Sequence, residues 1–274
     1  WTGGFLKSPG WNSPERIDAS IDHFIAATMA YGHLGWLVEE GHGIERTCRS
    51  YYMLQQLQSR YGLRRPKKIE YADAQGKWLT ASRAIATDVI KESRLHVLYE
   101  NGLDLYVNGS EGNWVVRGKV LPPWGWYAVH GKDFEEYSAL VDGRRIDWVK
   151  SPEYEFLDGR GVRTTHGGLS AKGSIAVRRS KSSVEVIDIY GNDWIGVQVK
   201  GRGTCTAFDP DGKSLGPAEA RFTSDGMAWI KPVKGARSYR ITVISRKPNP
   251  AFRITLDRAT VVAGDKLSIR LSTT

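Results

Sequence analysis

Two adjacent acids, Glu39 and Glu40, are the side chains best placed for catalysis. They follow directly after the apolar run Trp36–Val38, at the end of a predicted strand. Hydrolysis of a glycosidic bond needs two facing carboxyl groups, one as acid and the other as base or nucleophile. In an α/β barrel such groups come from the carboxyl ends of different strands. Only one such strand end is recognisable here, so at most one member of a pair lies in this chain. The alternative is that the two acids belong to a solvated loop.

Three other side chains share this neighbourhood, namely His33, Trp36 and His42. They could contact a sugar, or they could pack at the rim of a barrel. His33 and His42 together with Glu39 offer side chains that bind metal ions, but their spacing matches no known site. We therefore predict neither a metal ion nor a cofactor.

The stretch Leu121–Tyr127 contains two tryptophans, Trp124 and Trp126, behind a pair of prolines. Residues two apart in an extended strand point to the same face, so the two indoles are expected to lie side by side. They could form an aromatic platform for a sugar, or they could seal a sandwich core. The prolines indicate a domain junction, where burial is the more usual outcome, and we predict that both rings are buried.

The composition favours β structure and is compatible with sugar binding. The chain of 274 residues has 30 glycines, which indicate many turns, and it also has 10 Trp and 12 Tyr. Indole rings match the C–H face of a pyranose, but they also fill the cores of β-sandwiches. The net charge of +9 is spread along the chain, and no nucleic-acid-binding motif accompanies it. We predict no nucleic-acid partner.

The first 65 residues are helical, in contrast to the rest. A helix is predicted to begin at Ser13-Pro14-Glu15, and a second helix is predicted from Glu45 to Arg60, with Gly62 as its stop. Between them, the segment 31–38 is expected to form a short buried strand or a tight turn. Helix, strand, loop and helix are the last one or two units of an α/β barrel. The apolar faces should be buried by a partner chain or by the following sandwich, through Ile21, Phe24, Leu54 and Leu57.

After Pro66 the apolar residues alternate with period two, and turn signals such as Asn101-Gly102 and Asp142-Gly143 separate the runs. This pattern predicts an antiparallel β-sandwich over residues 66–180. Residues 181–247 are expected to form an immunoglobulin-like β domain. A linker and the first strands of a further β domain are expected over 248–274. Two strands are not stable alone in water, so we expect the polypeptide to continue or these strands to pack on a neighbour.

Two cysteines and the apolar runs give weaker information. Cys48 is placed in a predicted helix and Cys205 in a distant strand, so we predict no disulfide between them. No stretch of 18 apolar residues is present, and we predict no membrane span. Asp209–Gly212 looks like part of a calcium loop, but the required downstream Glu is absent, and we interpret it as a β-turn. The start at Trp1 looks like a cut inside a longer polypeptide.

These residues resemble the C-terminal part of large bacterial glycoside hydrolases with an α/β barrel. The likeness covers about residues 20–180. The segments that carry it are Ile25–Trp36, Tyr51–Gln58, Tyr99–Gly102, Leu105–Asn108, Trp114 and Leu121–Trp126. The resemblance implies a sugar-cleaving parent protein and an extracellular, cell-surface or periplasmic location. It also implies that the acid and nucleophile of the family lie mainly upstream of Trp1.

The sequence thus predicts a mainly β protein in which residues 1–65 are an α/β-barrel remnant. The predicted function is the C-terminal portion of a glycoside hydrolase that acts on a polysaccharide or glycan, supports the catalytic barrel and contacts substrate. Its expected partners are a carbohydrate and an upstream catalytic domain or companion chain. One alternative is a non-catalytic carbohydrate-binding or cell-surface adhesion module, and another is a purely structural spacer.

Overall fold

A computed structural model describes residues 14–35, 37, 43–243, 252–256 and 269–273. Its contacts divide the chain into two units, 1–243 and 244–274. The domain boundaries expected at 65/66, 180/181 and 247/248 remain predictions. In the part of the chain that the structure describes, strands account for 45% and helices for 19%, so the chain is mainly β, as predicted.

The two long helices occur where the sequence predicts them. Helix α1 spans Pro14–Ala30 and helix α2 spans Ile44–Tyr61. Gly62 follows α2, and its amide N–H donates to the carbonyl of Gln58 at 2.8 Å. A short helix α3 (Ala81–Ala86) and a 3-10 helix (Val89–Glu92) occur later in the chain.

The segment after α1 was predicted to form a short buried strand or a tight turn, and the structure shows the turn. Residues 31–32 form a turn with Gly32 at φ 66°, and residues 33–35 and 37 belong to no strand. Tyr31 and Leu34 are exposed. The turn alternative is correct and burial is wrong, because no element of the described chain covers these side chains.

Twenty strands follow in the first unit within the described residues. In chain order they are β1 Pro66–Ala72, β2 Trp78–Thr80, β3 Arg94–Tyr99, β4 Asp104–Asn108, β5 Trp114–Val116, β6 Lys119–Leu121, β7 Gly125–His130, β8 Phe134–Val141, β9 Arg144–Lys150, β10 Glu155–Asp158, β11 Thr164–His166, β12 Leu169–Ala171, β13 Ser174–Arg179, β14 Ser183–Tyr190, β15 Ile195–Gln198, β16 Gly203–Phe208, β17 Ser214–Pro217, β18 Ala220–Phe222, β19 Met227–Ile230 and β20 Ser238–Val243. The second unit contains a hairpin of β21 Phe252–Leu256 and β22 Ile269–Thr273. A strand pair was expected in this region.

The strands of the first unit form two antiparallel sheets. In the part of the chain that the structure describes, the larger sheet has 15 strands, and its main path runs β17-β16-β20-β14-β13-β10-β9-β8-β7-β4-β3-β1-β2. Strands β5 and β6 form a hairpin that joins it through β8. The second sheet has the order β11-β12-β15-β19-β18. The pairing of β13 with β14 carries the large sheet across position 180.

Turn residues explain several of these connections. Gly102, with φ 87°, lies in the predicted turn between β3 and β4. Asp142 and Gly143, with φ 50° and 75°, both adopt the left-handed conformation that a two-residue hairpin between β8 and β9 requires. Asp209–Gly212 is a turn, as interpreted, since the Gly212 amide donates to the Asp209 carbonyl at 3.1 Å.

The large sheet is covered on both faces. Helices α1 and α2 pack across one face, over β4, β7, β9, β13 and β14. Their buried side chains share a hydrophobic cluster with that face, in which Ile21, Leu54 and Leu57 are buried and Phe24 is partly buried. The prediction that the helices bury an apolar face against the sandwich is therefore confirmed, with Phe24 less covered than expected. The other face shares a second cluster with the smaller sheet and the β5–β6 hairpin.

Candidate functional site

The two helices run in the same direction along the sheet. Asp18 of α1 pairs with Arg46 of α2 at 2.7 Å, and one turn further on Asp22 pairs with Arg49. At the other end, the residue directly after the turn at 31–32 lies against the end of α2, where the Tyr61 hydroxyl donates to the His33 carbonyl at 2.6 Å.

Buried charges join these helices to the sheet. Arg49 on α2 donates from Nε to Oδ2 of Asp147 on β9 at 2.6 Å and from Nη2 to Asp22 on α1. Arg160, in the turn after β10, donates to both acids, at 2.7 Å to Asp22 and 2.9 Å to Asp147. Asp22, Arg49 and Asp147 are each at least 95% buried. We call these four side chains the arginine–aspartate network.

Arg145 on β9 extends the network toward the Pro-Pro-Trp turn. Its Nη1 lies 2.8 Å from Oδ2 of Asp22. The same guanidinium donates to the carbonyls of Pro123 and Trp124, at 3.0 and 2.8 Å. One acid of α1 therefore also fixes, through Arg145, the turn that precedes β7.

The acids of the network are ionised despite their burial. Burial alone would raise the pKa of Asp22, but Arg49, Arg160 and Arg145 hold it far below its usual range. The same opposition between burial and the two nearest guanidinium groups lowers the pKa of Asp147 to about 2. Asp158 lies opposite Asp147 on β10, and burial together with the Asp147 carboxylate raises its pKa.

A cleft of about 550 Å³ opens beside the network, between the first turns of α2 and the ends of β10, β13 and β14. Two network residues, Arg49 and Arg160, line this cleft, and so does Asp158 beside the network. The remaining lining residues are Asp18, Glu45, Arg46, Gly161, Lys172, Gly173, Ser174, Tyr190 and Gly191. This volume falls within the range of small-ligand pockets, but most of its charges are already paired with one another.

The predicted side-by-side arrangement of Trp124 and Trp126 is wrong. Strand β7 begins at Gly125, whose amide donates to the Pro122 carbonyl at 2.7 Å and closes a turn. Trp124 lies in that turn with φ 56°, so it does not share the alternation of the strand. Its partly buried ring lies against His23 of α1, with ring centroids 3.9 Å apart.

Trp126 is fully buried, as predicted. Its indole Nε1–H donates to Oε1 of Glu136 on β8 at 3.1 Å. Glu136 is itself fully buried, and its Oε2 has no hydrogen-bond partner among the described residues. Burial raises the pKa of Glu136 well above its usual value, in opposition to the indole and to Arg60.

The other predicted site residues are dispersed or undescribed. His33 is exposed beside Tyr31, with ring centroids 5.9 Å apart, and it does not line the cleft. Trp36, Glu39, Glu40 and His42 lie outside the described residues.

The four network residues form no recognisable motif in the sequence and were not predicted as site residues. Asp147 carried the clearest signal, because an acid between Ile146 and Trp148 in a predicted strand indicates a buried charge that needs partners. Nothing local identified the partners Asp22, Arg49 and Arg160, which come from three other elements.

No group of three or more His, Cys, Asp or Glu side chains in the described residues is arranged to hold a metal ion. Cys48 and Cys205 are free thiols, as predicted. No helix in the described part of the chain is long and apolar enough to cross a membrane. In comparisons with known proteins, the chain matches no protein-family model, no curated protein and no solved structure.

Proposed function

We propose that this chain is the C-terminal portion of a glycoside hydrolase that acts on a polysaccharide or glycan. In this proposal residues 1–65 are the last elements of the catalytic α/β barrel and 66–180 form the sandwich that supports it. Residues 181–247 are an immunoglobulin-like domain, and 248–274 begin a further β domain. The protein works outside the cytoplasm and needs no cofactor.

The observation that carries the proposal is the parallel course of α1 and α2. Successive helices of an α/β barrel are parallel because a strand returns between them. Just after α1, two large apolar side chains are exposed, Tyr31 at 72% and Leu34 at 65%. Leu63, just after α2, is 96% exposed. Such side chains are what the end of a barrel would present to the strands and helices before it.

The arginine–aspartate network gives the helix pair a fixed orientation on the sheet. A surface charge pair restrains little, but paired charges in a buried setting hold their geometry because any displacement leaves a charge unpaired. A barrel that ended in α1 and α2 would therefore be held firmly to the sandwich. This arrangement suits a supporting domain better than a module on a flexible tether.

Activity assays of two polypeptides test this proposal. We expect the 274-residue chain alone to hydrolyse none of a panel of aryl glycosides and plant or host glycans, because its catalytic carboxylates are incomplete. We expect the longer natural polypeptide to hydrolyse at least one of them. Turnover by the short chain alone, abolished by a single carboxylate substitution, would contradict the proposal.

A binding assay tests the barrel contact itself. The preceding part of the natural polypeptide, produced separately, should associate with this chain in size-exclusion chromatography. Leu34→Asp should weaken that association. Leu215→Asp, at an exposed position on the edge strand β17, provides the matched control and should leave it unchanged. If both variants associated equally well, the exposed residues after α1 would not be the contact with the preceding part of the polypeptide.

A second function, a non-catalytic carbohydrate-binding module, is favoured by one separate feature. The aromatic side chains of the large sheet reach solvent at one edge, at Trp78 of β2. This function is compatible with the first, since a supporting domain can also contact the glycan.

A further inference from the structure

Trp78 lies on a rigid aromatic base at the edge of the large sheet. Its indole packs edge-to-face on Trp114, with ring centroids 5.8 Å apart at 69°. It also contacts the rings of His96 and Tyr106, which stack on each other at 4.6 Å. Trp78 itself remains 36% exposed. A ring held in this way needs little further ordering when a flat ligand covers it.

This base is the outer end of a row that crosses the sheet. Directly opposite residues on neighbouring strands form the row, and they are Glu70, His96, Tyr106, Tyr127, Tyr137 and Trp148. The inner members are buried beneath the smaller sheet and the β5–β6 hairpin. The outer members Glu70 and His96 are buried as well, at 9% and 8% exposure, and the aromatic ring that reaches solvent beside them is Trp78 of β2.

Hydrogen-bonding groups lie next to His96 and Tyr106, two of the rings on which Trp78 packs. His96 lies between two carboxylates, with Nδ1 3.1 Å from Glu70 and Nε2 2.6 Å from Asp104. The second oxygen of Asp104 accepts a hydrogen bond from the Tyr106 hydroxyl at 3.0 Å. It also accepts a longer one from Arg117, at 3.5 Å. Arg117 is an exposed cation, and its contact with Asp104 is long enough for a ligand hydroxyl to replace it.

We propose that Trp78, Glu70, Asp104 and Arg117, together the Trp78 face, bind a pyranose ring of a glycan. The C–H face of the sugar would cover the indole. Adjacent hydroxyls would donate to the carboxylate of Asp104 or Glu70 and accept from the guanidinium of Arg117. The ligand class follows from the combination of an exposed flat ring with acceptors and a donor close to the His96 and Tyr106 rings on which it packs. The inference rests on the part of the proposed function in which this chain contacts the glycan.

Titration of the chain with soluble oligosaccharides tests the site. The panel contains fragments of cellulose, xylan, mannan, chitin and starch, together with host-type glycans, and calorimetry supplies the dissociation constants. For the oligosaccharide that binds best, Trp78→Ala should weaken binding about tenfold or more, the usual effect of removing a central aromatic anchor. Leu215→Ala, an apolar truncation on the opposite edge strand, is the matched control and should leave the constant unchanged.

A second variant and a spectroscopic signal guard against local unfolding. Arg117→Ala alters an exposed side chain, and it should weaken binding several-fold without changing the melting temperature. In amide and indole NMR spectra, the indole signal of Trp78, identified by its absence in the alanine variant, should shift as the oligosaccharide is added. Other indole signals, such as that of the buried Trp126, should not.

Each outcome decides a different claim. If Trp78→Ala and Arg117→Ala both bound the oligosaccharide as tightly as the parent chain does, the Trp78 face would be refuted as the binding site. The glycan would then bind at another place on the chain. If the chain bound no oligosaccharide of the panel at millimolar concentration, the site would be overturned as well. Glycan hydrolysis by the longer polypeptide would in that case still support the proposed glycosidase function, so the two failures can be distinguished.

Discussion

Two buried regions on the helix-covered face of the large sheet shift the pKa values of their acidic side chains in opposite directions. In the arginine–aspartate network each carboxylate faces several guanidinium groups, and the pKa of Asp22 and Asp147 falls. Glu136 has only the Trp126 indole as a hydrogen-bond donor, with Arg60 in its vicinity, and its pKa rises. Burial acts in the same direction in both regions, so the number of opposing charges decides which form of the acid is stable.

The largest expected effect comes from removing one cation of the network. Arg49→Ala leaves Asp22 and Asp147 with fewer partners in a buried setting, and we expect it to lower the free energy of unfolding by about 3–5 kcal/mol. Urea denaturation monitored by tryptophan fluorescence measures this change. Arg46→Ala, one turn earlier on α2, removes a partly exposed pair with Asp18 and should cost about 1 kcal/mol or less. Similar costs for the two variants would show that the network is not a special point of attachment.

The next largest effect is the loss of folding stability at low pH. Because the pKa of Asp147 in the folded chain, about 2, lies below its unfolded value of 3.8, the stabilisation is present above pH 3.8. It is lost as the pH falls toward 2, and Asp22 acts in the same direction. Asp147→Asn should lower stability at pH 7 by about 2–3 kcal/mol and should flatten the loss between pH 4 and 2. A parent chain and variant with parallel profiles would refute this assignment.

A smaller effect is expected where Glu136 loses its donor. Trp126→Phe keeps an aromatic ring in the core but leaves the buried carboxyl without the indole N–H. We expect a loss of about 1–3 kcal/mol, since a buried polar group is left unsatisfied and the smaller ring fills less space. The double variant Trp126→Phe with Glu136→Gln measures the coupling between the two residues. Additive losses would mean that the hydrogen bond contributes little.

The smallest expected effect is that of Glu136→Gln alone. A carboxyl with a raised folded pKa stabilises the fold below its unfolded pKa, and this contribution disappears as the pH rises through the folded value. Glutamine does not titrate, so the variant should lie within about 1 kcal/mol of the parent at pH 4. At pH 8 the Glu136→Gln variant should be more stable than the parent chain. A variant that was equally destabilised at both pH values would indicate an ionised Glu136 in the folded chain.

Local rules explain which parts of the fold the sequence revealed. The turns at Asn101-Gly102 and Asp142-Gly143 need left-handed backbone at Gly102, Asp142 and Gly143, and these residue types adopt it at low cost. The signal for each turn is therefore contained in two residues. The helix beginning at Pro14 is likewise encoded within its first turn. These elements were predictable because each depends on its own residues.

The candidate site was hidden for the opposite reason. In the sequence, Arg49 looks like an ordinary exposed residue on a predicted helix. It is buried only because β9 and the turn after β10 pack against it. Trp124 also escaped prediction, because an indole at φ 56° contradicts the usual preference of that conformation for glycine or asparagine. Its conformation is maintained by the surrounding turn, where Arg145 binds its carbonyl at 2.8 Å. Neither fact is visible in a window of neighbouring residues.

The distances in sequence between the network residues also set an order for folding during synthesis. Arg49 precedes Asp147 by 98 residues, and Asp22 precedes Arg160 by 138. The helices therefore leave the ribosome before Asp147 and Arg160, the groups that hold them to the sheet. At ordinary translation speeds the delay is on the order of ten seconds. During that time the apolar faces of α1 and α2 are not covered by the sheet, and exposed apolar surface of this kind makes a partly synthesised chain prone to aggregation.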